Sequence, residues 1–138
     1  MIHFFSEDVD FVLPDQKKVA HWLEQVALSE HSIVDELSVV FCSDDYLLAL
    51  NKQHLQHDYY TDVITFDYRE GNTNLLEGDV FVSYDRVSDN AAQRGISLTE
   101  ELLRVMVHGL LHLVGYDDSS KSEKEKMRVL EDKYLANY

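Results

Sequence analysis

The hydrophobic pattern alternates between the two-residue period of strands and the three-to-four-residue period of helices. Alternating or β-branched runs predict four strands: Ile2–Phe5, Glu36–Cys42, Val63–Phe66 and Asp79–Ser83. Apolar stripes at helical spacing, with their flanking caps, predict five helices: Pro14 to Leu28, Ser43 to His54, Asp85 to Arg94, Ser97 to Val114 and Ser120 to Leu135. The order β-α-β-α-β-β-α-α-α favours an α/β (α+β-like) fold with a single mixed sheet of about four strands packed by about five helices.

The chain reads as one domain, residues 1–138. Its 138 residues suffice for a substantial hydrophobic core, and one proline with five glycines argues against long disordered stretches. The two strands before Ser83 are expected to form a hairpin across the turn at Gly71-Asn72. No repeat or low-complexity tract suggests a second unit.

Charge and cysteine content narrow the functional classes. Acidic residues outnumber basic residues 26 to 12, giving a net charge of −14. This balance opposes nonspecific attraction to nucleic acid or anionic membrane, so a polyanionic substrate would need a local basic patch, a metal ion or a larger partner. Cys42 is alone and is expected to be a buried strand residue in a reducing cytoplasm. The start of the chain lacks signal-peptide features, and the most apolar segment, Leu102 to Val114, is too short to span a bilayer.

Two histidines four residues apart are the main candidate site. His108 and His112 lie in an apolar helical run, so both imidazoles can reach one metal ion. Gly115 is expected to end the helix and return the chain toward them, bringing back Asp117 and Asp118. Asp118 is the preferred third ligand because of its spacing, and Asp117 is the alternative. The aspartate that does not bind the metal would orient a ligand histidine. The alternative is a pair of core histidines hydrogen-bonded to the backbone.

Two nitrogens and one carboxylate would leave a fourth position for water, as in catalytic zinc sites. Metal binding lowers the pKa of such a water to about 7. Zinc peptidases with the HExxH motif place a glutamate general base after the first histidine. Here that position is Gly109, so a standard zinc peptidase is not expected.

The histidine run also resembles a known family. The segment His108-Gly-Leu-Leu-His-Leu-Val-Gly-Tyr-Asp117 is similar to the H-G-x-L-H-L-x-G-Y-D-H signature of the YbeY family of bacterial rRNA maturation factors. The similarity extends to three further stretches, in the same order as in the family: Leu50-Asn51 followed by Thr61-Asp62-Val-Ile-Thr-Phe66, Gly78-Asp79-Val80, and Glu101-Leu-Leu-Arg104.

The resemblance implies a compact metalloprotein holding one zinc ion. It also implies a single-strand endoribonuclease that processes ribosomal RNA, especially the 3′ end of 16S rRNA, and acts in ribosome quality control. The implied partners are rRNA and the small ribosomal subunit, with no membrane or DNA partner. Two departures stand out: Asp118 replaces the family's third histidine, and Leu55 occupies the usual place of an arginine near the metal cleft.

Three hypotheses follow for function. The leading one is a zinc-dependent endoribonuclease with ligands His108, His112 and Asp118, in which metal-bound water acts and no general base can be named. Because leucine cannot hold phosphate, His54, His57 or Arg104 would have to compensate for Leu55. The alternatives are a non-catalytic ribosome assembly factor with a structural metal and a metal-dependent hydrolase of another substrate.

Overall fold

The computed structural model, which describes residues 1–138, has the nine elements in the predicted order. The strands are β1 (Ile2–Ser6), β2 (Ile33–Cys42), β3 (Val63–Asp67) and β4 (Leu75–Ser83). The helices are α1 (Gln16–Ser29), α2 (Asp44–Leu55), α3 (Tyr84–Arg94), α4 (Leu98–Val114) and α5 (Lys121–Leu135). The predicted fold class, one mixed four-stranded sheet with five helices, is confirmed.

The strands are ordered β1-β2-β4-β3 across the sheet. β1, β2 and β4 are parallel, whereas β3 runs antiparallel to β4 at the edge. The predicted hairpin between β3 and β4 is therefore present. The two parallel pairings are made across intervening helices, since parallel neighbours require a crossover connection.

Helix α4 is central to the main core. Ten of its seventeen residues are buried, including Gly109 and Leu110, and the main cluster of 23 buried hydrophobic residues includes its apolar side chains. Val80 and Val82 of β4 belong to this cluster, whereas the intervening Phe81 packs in a smaller one with residues of α2. The sheet thus has helices on both faces, and none of the helices combines the length and apolarity required to cross a bilayer.

Serine caps define the starts of four helices, three of which the sequence predicts. The side chains of Ser43, Ser83, Ser97 and Ser120 each accept a hydrogen bond from the backbone N–H three residues on. At Ser120 the Glu123 side chain in turn accepts a hydrogen bond from the Ser120 backbone N–H, which completes a capping box; at Ser97 only the serine half is present. The caps at Ser97 and Ser120 determine where α4, which carries the histidines, and α5, which follows them, begin.

The element ends differ from the predicted ones by more than one residue in three places. β2 begins at Ile33 rather than Glu36, and β4 at Leu75 rather than Asp79, because these extra residues pair with one another across a register shift. Helix α1 begins at Gln16, after Asp15 adopts a left-handed conformation with φ of 55°. Hydrophobic periodicity does not reveal which residues pair across strands or where the backbone reverses, so these ends could not be predicted from it.

Candidate metal centre

The helical spacing of the histidines brings their Nε2 atoms together at one end of α4. His108 Nε2 and His112 Nε2 are 2.9 Å apart. Gly115 ends the helix with φ of 130°, as predicted, and the chain then returns Asp118. Its Oδ2 lies 3.2 Å from His108 Nε2 and 3.6 Å from His112 Nε2. These three residues form the one group of histidine, cysteine or acidic side chains in the protein that could hold a metal ion.

The other ring nitrogens are already committed. His112 Nδ1 lies 2.9 Å from the backbone oxygen of Tyr116, which can only accept, so Nδ1 carries the proton. His108 Nδ1 donates to Glu131 Oε2 at 2.7 Å. Both Nε2 lone pairs therefore face each other and a carboxylate oxygen. A tetrahedral zinc site has ligand atoms roughly 3.3 Å apart, given arms of about 2.0–2.1 Å, so the donor set fits a divalent cation in number, chemistry and spacing.

Glu131 has the strongest electrostatic influence on His108. Burial opposes a charge on this imidazole, but the hydrogen bond and negative charge of Glu131 outweigh it and raise the pKa of His108 above its ordinary value. A carboxylate behind a ligand histidine fixes its tautomer and increases its basicity toward a metal. The side chain of Glu131 is only 9% exposed, so its position is well defined by packing.

Arg104 holds Glu131 in place. Its guanidinium donates to Glu131 Oε1 at 3.0 Å and to Asp132 Oδ1 at 2.9 Å. The arginine is one of the residues that the sequence suggests for phosphate binding, and here it is occupied by two carboxylates of α5. The hydrogen bonds from Arg104 to Glu131 and from His108 to Glu131 thus link α5 to the donor cluster.

A second anchor fixes the turn after α4. The backbone oxygen of Tyr116 orients His112, and the hydroxyl of Tyr116 donates to Glu30 Oε1 at 2.6 Å. Tyr134 of α5 donates to the other oxygen of the same carboxylate. Because Glu30 follows the last residue of α1, one carboxylate ties α1 and α5 to the turn that positions His112.

A cleft of about 400 Å³ opens beside the donor cluster. Its twelve lining residues are Asp62, Arg94, Glu101, Arg104, Val105, His108, Asp118, Lys124, Glu125, Met127, Arg128 and Glu131. The side chain of Asp118 is 40% exposed. At the floor, Glu101 is almost fully buried and both its oxygens accept from Arg94 Nη1 at 2.9 Å. The donor cluster is therefore reached from solvent.

Gly109 lies where α4 approaches the sheet most closely. A Cβ atom built at this position would be 2.7 Å from Cγ1 of Val80, which is closer than carbon atoms can approach. The absence of a side chain here lets the helix lie against β4, and any larger residue would push it away.

The remaining candidate residues lie elsewhere. Asp117 is exposed and outside the donor cluster. The ring of His54 packs edge-on against Phe66 at 5.7 Å, and that of His57 stacks on Tyr59 at 5.2 Å. Leu55 is the last residue of α2, and none of these four residues lines the cleft.

Sequence reasoning missed Glu131, although a signal for it exists. Met127 and Tyr134 are buried on the inward face of α5, and Glu131 falls between them at helical spacing. A carboxylate on a buried stripe requires a partner, which indicates a structural or functional ion pair.

The chain is similar to known proteins along nearly its whole length. The family model described as Endoribonuclease YbeY matches residues 3–138. Proteins named Endoribonuclease YbeY from Cytophaga hutchinsonii and Amoebophilus asiaticus are 47% and 44% identical, over 98% and 97% of this chain and 94% and 90% of their own lengths. The solution structure of TM1509 from Thermotoga maritima is similar, with a TM-score of 0.64 and 29% identity, covering 99% of this chain and 91% of that chain. The chain belongs to the YbeY family.

Proposed function

We propose that the protein is a zinc-dependent single-strand endoribonuclease that acts on ribosomal RNA in the cytoplasm. Its role would be maturation of the 16S rRNA 3′ end and ribosome quality control, with the small ribosomal subunit as partner. The names of the relatives support RNA cleavage. The observation that carries the proposal is the convergence of His108, His112 and Asp118, of which His108 and Asp118 line a solvent-open cleft.

The donor set suits one zinc ion. Two imidazole nitrogens with one carboxylate are characteristic ligands of catalytic zinc, which keeps a further position open. When bound, the ion supplies a Lewis-acidic positive charge that can polarise a phosphodiester or acidify water. The carboxylate of Asp118 neutralises one of the two positive charges, which a third histidine would not do.

The chain's own residues prepare this site. Glu131 and the backbone oxygen of Tyr116 each hold an Nδ1 proton, which keeps both Nε2 lone pairs directed at the ion position. Arg104 pairs with Glu131 and holds its carboxylate in place. Ligand geometry is thus largely set before metal arrives, which reduces the ordering cost of binding.

The openness of the cleft favours catalysis over a structural ion. Structural zinc sites are closed by four protein ligands, whereas this cluster has three and faces a cavity. The buried apolar side chains of α4 also pack in the hydrophobic core without any contribution from the donor residues.

Asp118→Ala tests the proposal, with Asp117→Ala as the matched control. Zinc-loaded wild-type protein and Asp117→Ala should cleave a labelled single-stranded rRNA fragment, whereas Asp118→Ala should lose most of the activity and bind zinc weakly. Circular dichroism should show all three folded. Failure of the zinc-loaded wild-type protein to cleave RNA would contradict the proposal.

The second candidate is a non-catalytic ribosome assembly factor, which the net charge of −14 favours because it opposes free RNA binding. It predicts ribosome association by a wild-type protein that does not cleave RNA. It also predicts that Asp118→Ala destabilises the fold rather than affecting turnover.

A further inference from the structure

Basic residues are concentrated on α5. Five of the twelve lysines and arginines in this acidic chain fall within its fifteen residues: Lys121, Lys124, Lys126, Arg128 and Lys133. Lys126 and Lys133 lie over the rings of Tyr116 and Tyr134, at 5.2 and 5.1 Å from the centroids. Against its four acidic residues, these cations leave the helix with a net charge of +1 in a chain whose net charge is −14.

Lys124 and Arg128 differ from the other cations of the cleft. They are four residues apart, hence on one face of α5, and both are exposed and line the cleft with His108 and Asp118. Arg94 and Arg104 also line it, but each is paired with a carboxylate. No carboxylate oxygen lies within 4.0 Å of the charged nitrogens of Lys124 or Arg128.

The distribution of negative charge restricts where an anion can bind. Asp62 and Glu125 line the cleft without a cationic partner and repel phosphate at their own positions. Glu101 and Glu131 are held by arginines. The face formed by Lys124 and Arg128 is thus the part of the cleft wall with uncompensated positive charge.

We propose that Lys124 and Arg128 bind a backbone phosphate of single-stranded RNA and so guide the strand past the metal centre. This inference rests on the proposed function for its substrate class. A guanidinium can hold two phosphate oxygens at once, and the lysine adds a mobile point charge. Backbone contacts of this kind give affinity and register without base specificity.

The test compares two doubly substituted proteins that lose the same charge. Lys124→Gln/Arg128→Gln removes the proposed site, and Lys17→Gln/Lys121→Gln removes two exposed cations that do not line the cleft. Each zinc-loaded protein is titrated into a fluorescein-labelled 2′-O-methyl oligoribonucleotide of about twelve nucleotides, and binding is followed by fluorescence anisotropy at several salt concentrations, with probe integrity checked on a gel. The substituted positions are exposed, so thermal unfolding should be unchanged in both.

The cleft variant should bind roughly tenfold more weakly at low salt, with a salt slope shallower by about 0.7, since each neutralised single-strand phosphate contributes about 0.7. For RNA cleavage, its KM should rise while kcat stays near that of the control. Equal binding by the two variants, or no binding by wild-type protein, would overturn the inference. Binding that depends on Lys124 and Arg128 without any RNA cleavage would leave the inference standing and contradict the proposed function instead.

Discussion

At the scale of single residues, the two candidate ligand histidines are oriented by different kinds of partner. His112 donates to a backbone oxygen within its own turn, whereas His108 depends on a carboxylate from another helix. A backbone oxygen cannot be removed by substitution, but Glu131 can. Substitution of Glu131 can therefore measure how much the hydrogen bond to His108 contributes to metal affinity.

Glu131→Gln should weaken zinc binding by about 10–100-fold, the usual effect of losing a carboxylate behind a ligand histidine. Competition with a fluorescent zinc chelator measures it. Asp132→Asn is the matched control, because Asp132 also pairs with Arg104 but is not hydrogen-bonded to His108. Equal zinc affinity in the two variants would mean that Glu131 does not position the ligand.

The sequence predicts the donor residues themselves but not their supports. His108, His112 and Asp118 are close in the chain, so helical geometry and one glycine turn suffice to bring them together. Glu131 is 23 residues from His108 and reaches it only because α5 packs on α4. Such a contact depends on interhelical geometry, which hydrophobic periodicity does not specify.

At the scale of elements, two close contacts fix α4. Gly109 sets its approach to β4, and the Arg94–Glu101 pair joins it to α3. Their strength determines how firmly the ligand-bearing helix is held against the sheet.

Gly109→Ala should destabilise the protein by about 1 kcal/mol, because overpacking costs about 1–3 kcal/mol and exceeds the roughly 1 kcal/mol gain in helix propensity. Urea unfolding measures the change. Adding Val80→Ala makes room for the new methyl group, so the double variant should be more stable than the sum of the single effects. Strict additivity would show that the contact with Val80 does not limit this position.

Arg94→Ala should destabilise the protein more at pH 7 than near pH 4.5. Burial raises the pKa of Glu101 above its ordinary 4.5, with Arg94 opposing the rise. A carboxyl group with a raised folded-state pKa contributes its full stability below the unfolded pKa and loses it as pH rises through the folded pKa. Without Arg94 this loss is larger, and we expect about 2 kcal/mol at pH 7, since half-exposed Arg94 leaves the carboxylate partly solvated.

Urea unfolding of wild-type and variant proteins at the two pH values provides the measurement. Adding Glu101→Gln to Arg94→Ala removes the titrating group, so the difference between the two pH values should disappear. A destabilisation by Arg94→Ala that is independent of pH would assign the effect to lost packing rather than to Glu101.

The element order was predictable, whereas the strand order was not. Apolar alternation at Leu37, Val39 and Phe41 and the serine caps indicate where elements occur. The insertion of β4 between β2 and β3 follows from long-range pairing, for which the sequence contains no local signal. The early part of β2 was missed for the same reason.

At the scale of the whole molecule, the core and the metal site are separable. The side chains of His108 and His112 are 20% and 23% exposed, whereas the apolar side chains of the main cluster are buried and pack against one another. Metal should consequently add to the stability of a fold that already exists, rather than create it.

Removal of zinc with a chelator should leave cooperative unfolding and lower the Tm by about 10 °C relative to protein in zinc at about 100 times its Kd, where ligand linkage contributes about 2.7 kcal/mol. Differential scanning calorimetry measures both states. The Tm of Asp118→Ala should respond far less to zinc. A metal-free protein without a thermal transition would instead assign the ion a structural role.

Gly109 also bears on the evolutionary distance between this chain and the zinc peptidases. Zinc peptidases share the same pair of helical histidines but carry a glutamate between them, at the position where this chain has no room for even a methyl group beside Val80. Acquiring that glutamate would first require a wider gap between helix and sheet, and thus prior changes in β4. The histidine pair is shared, but a single substitution cannot convert one chemistry into the other.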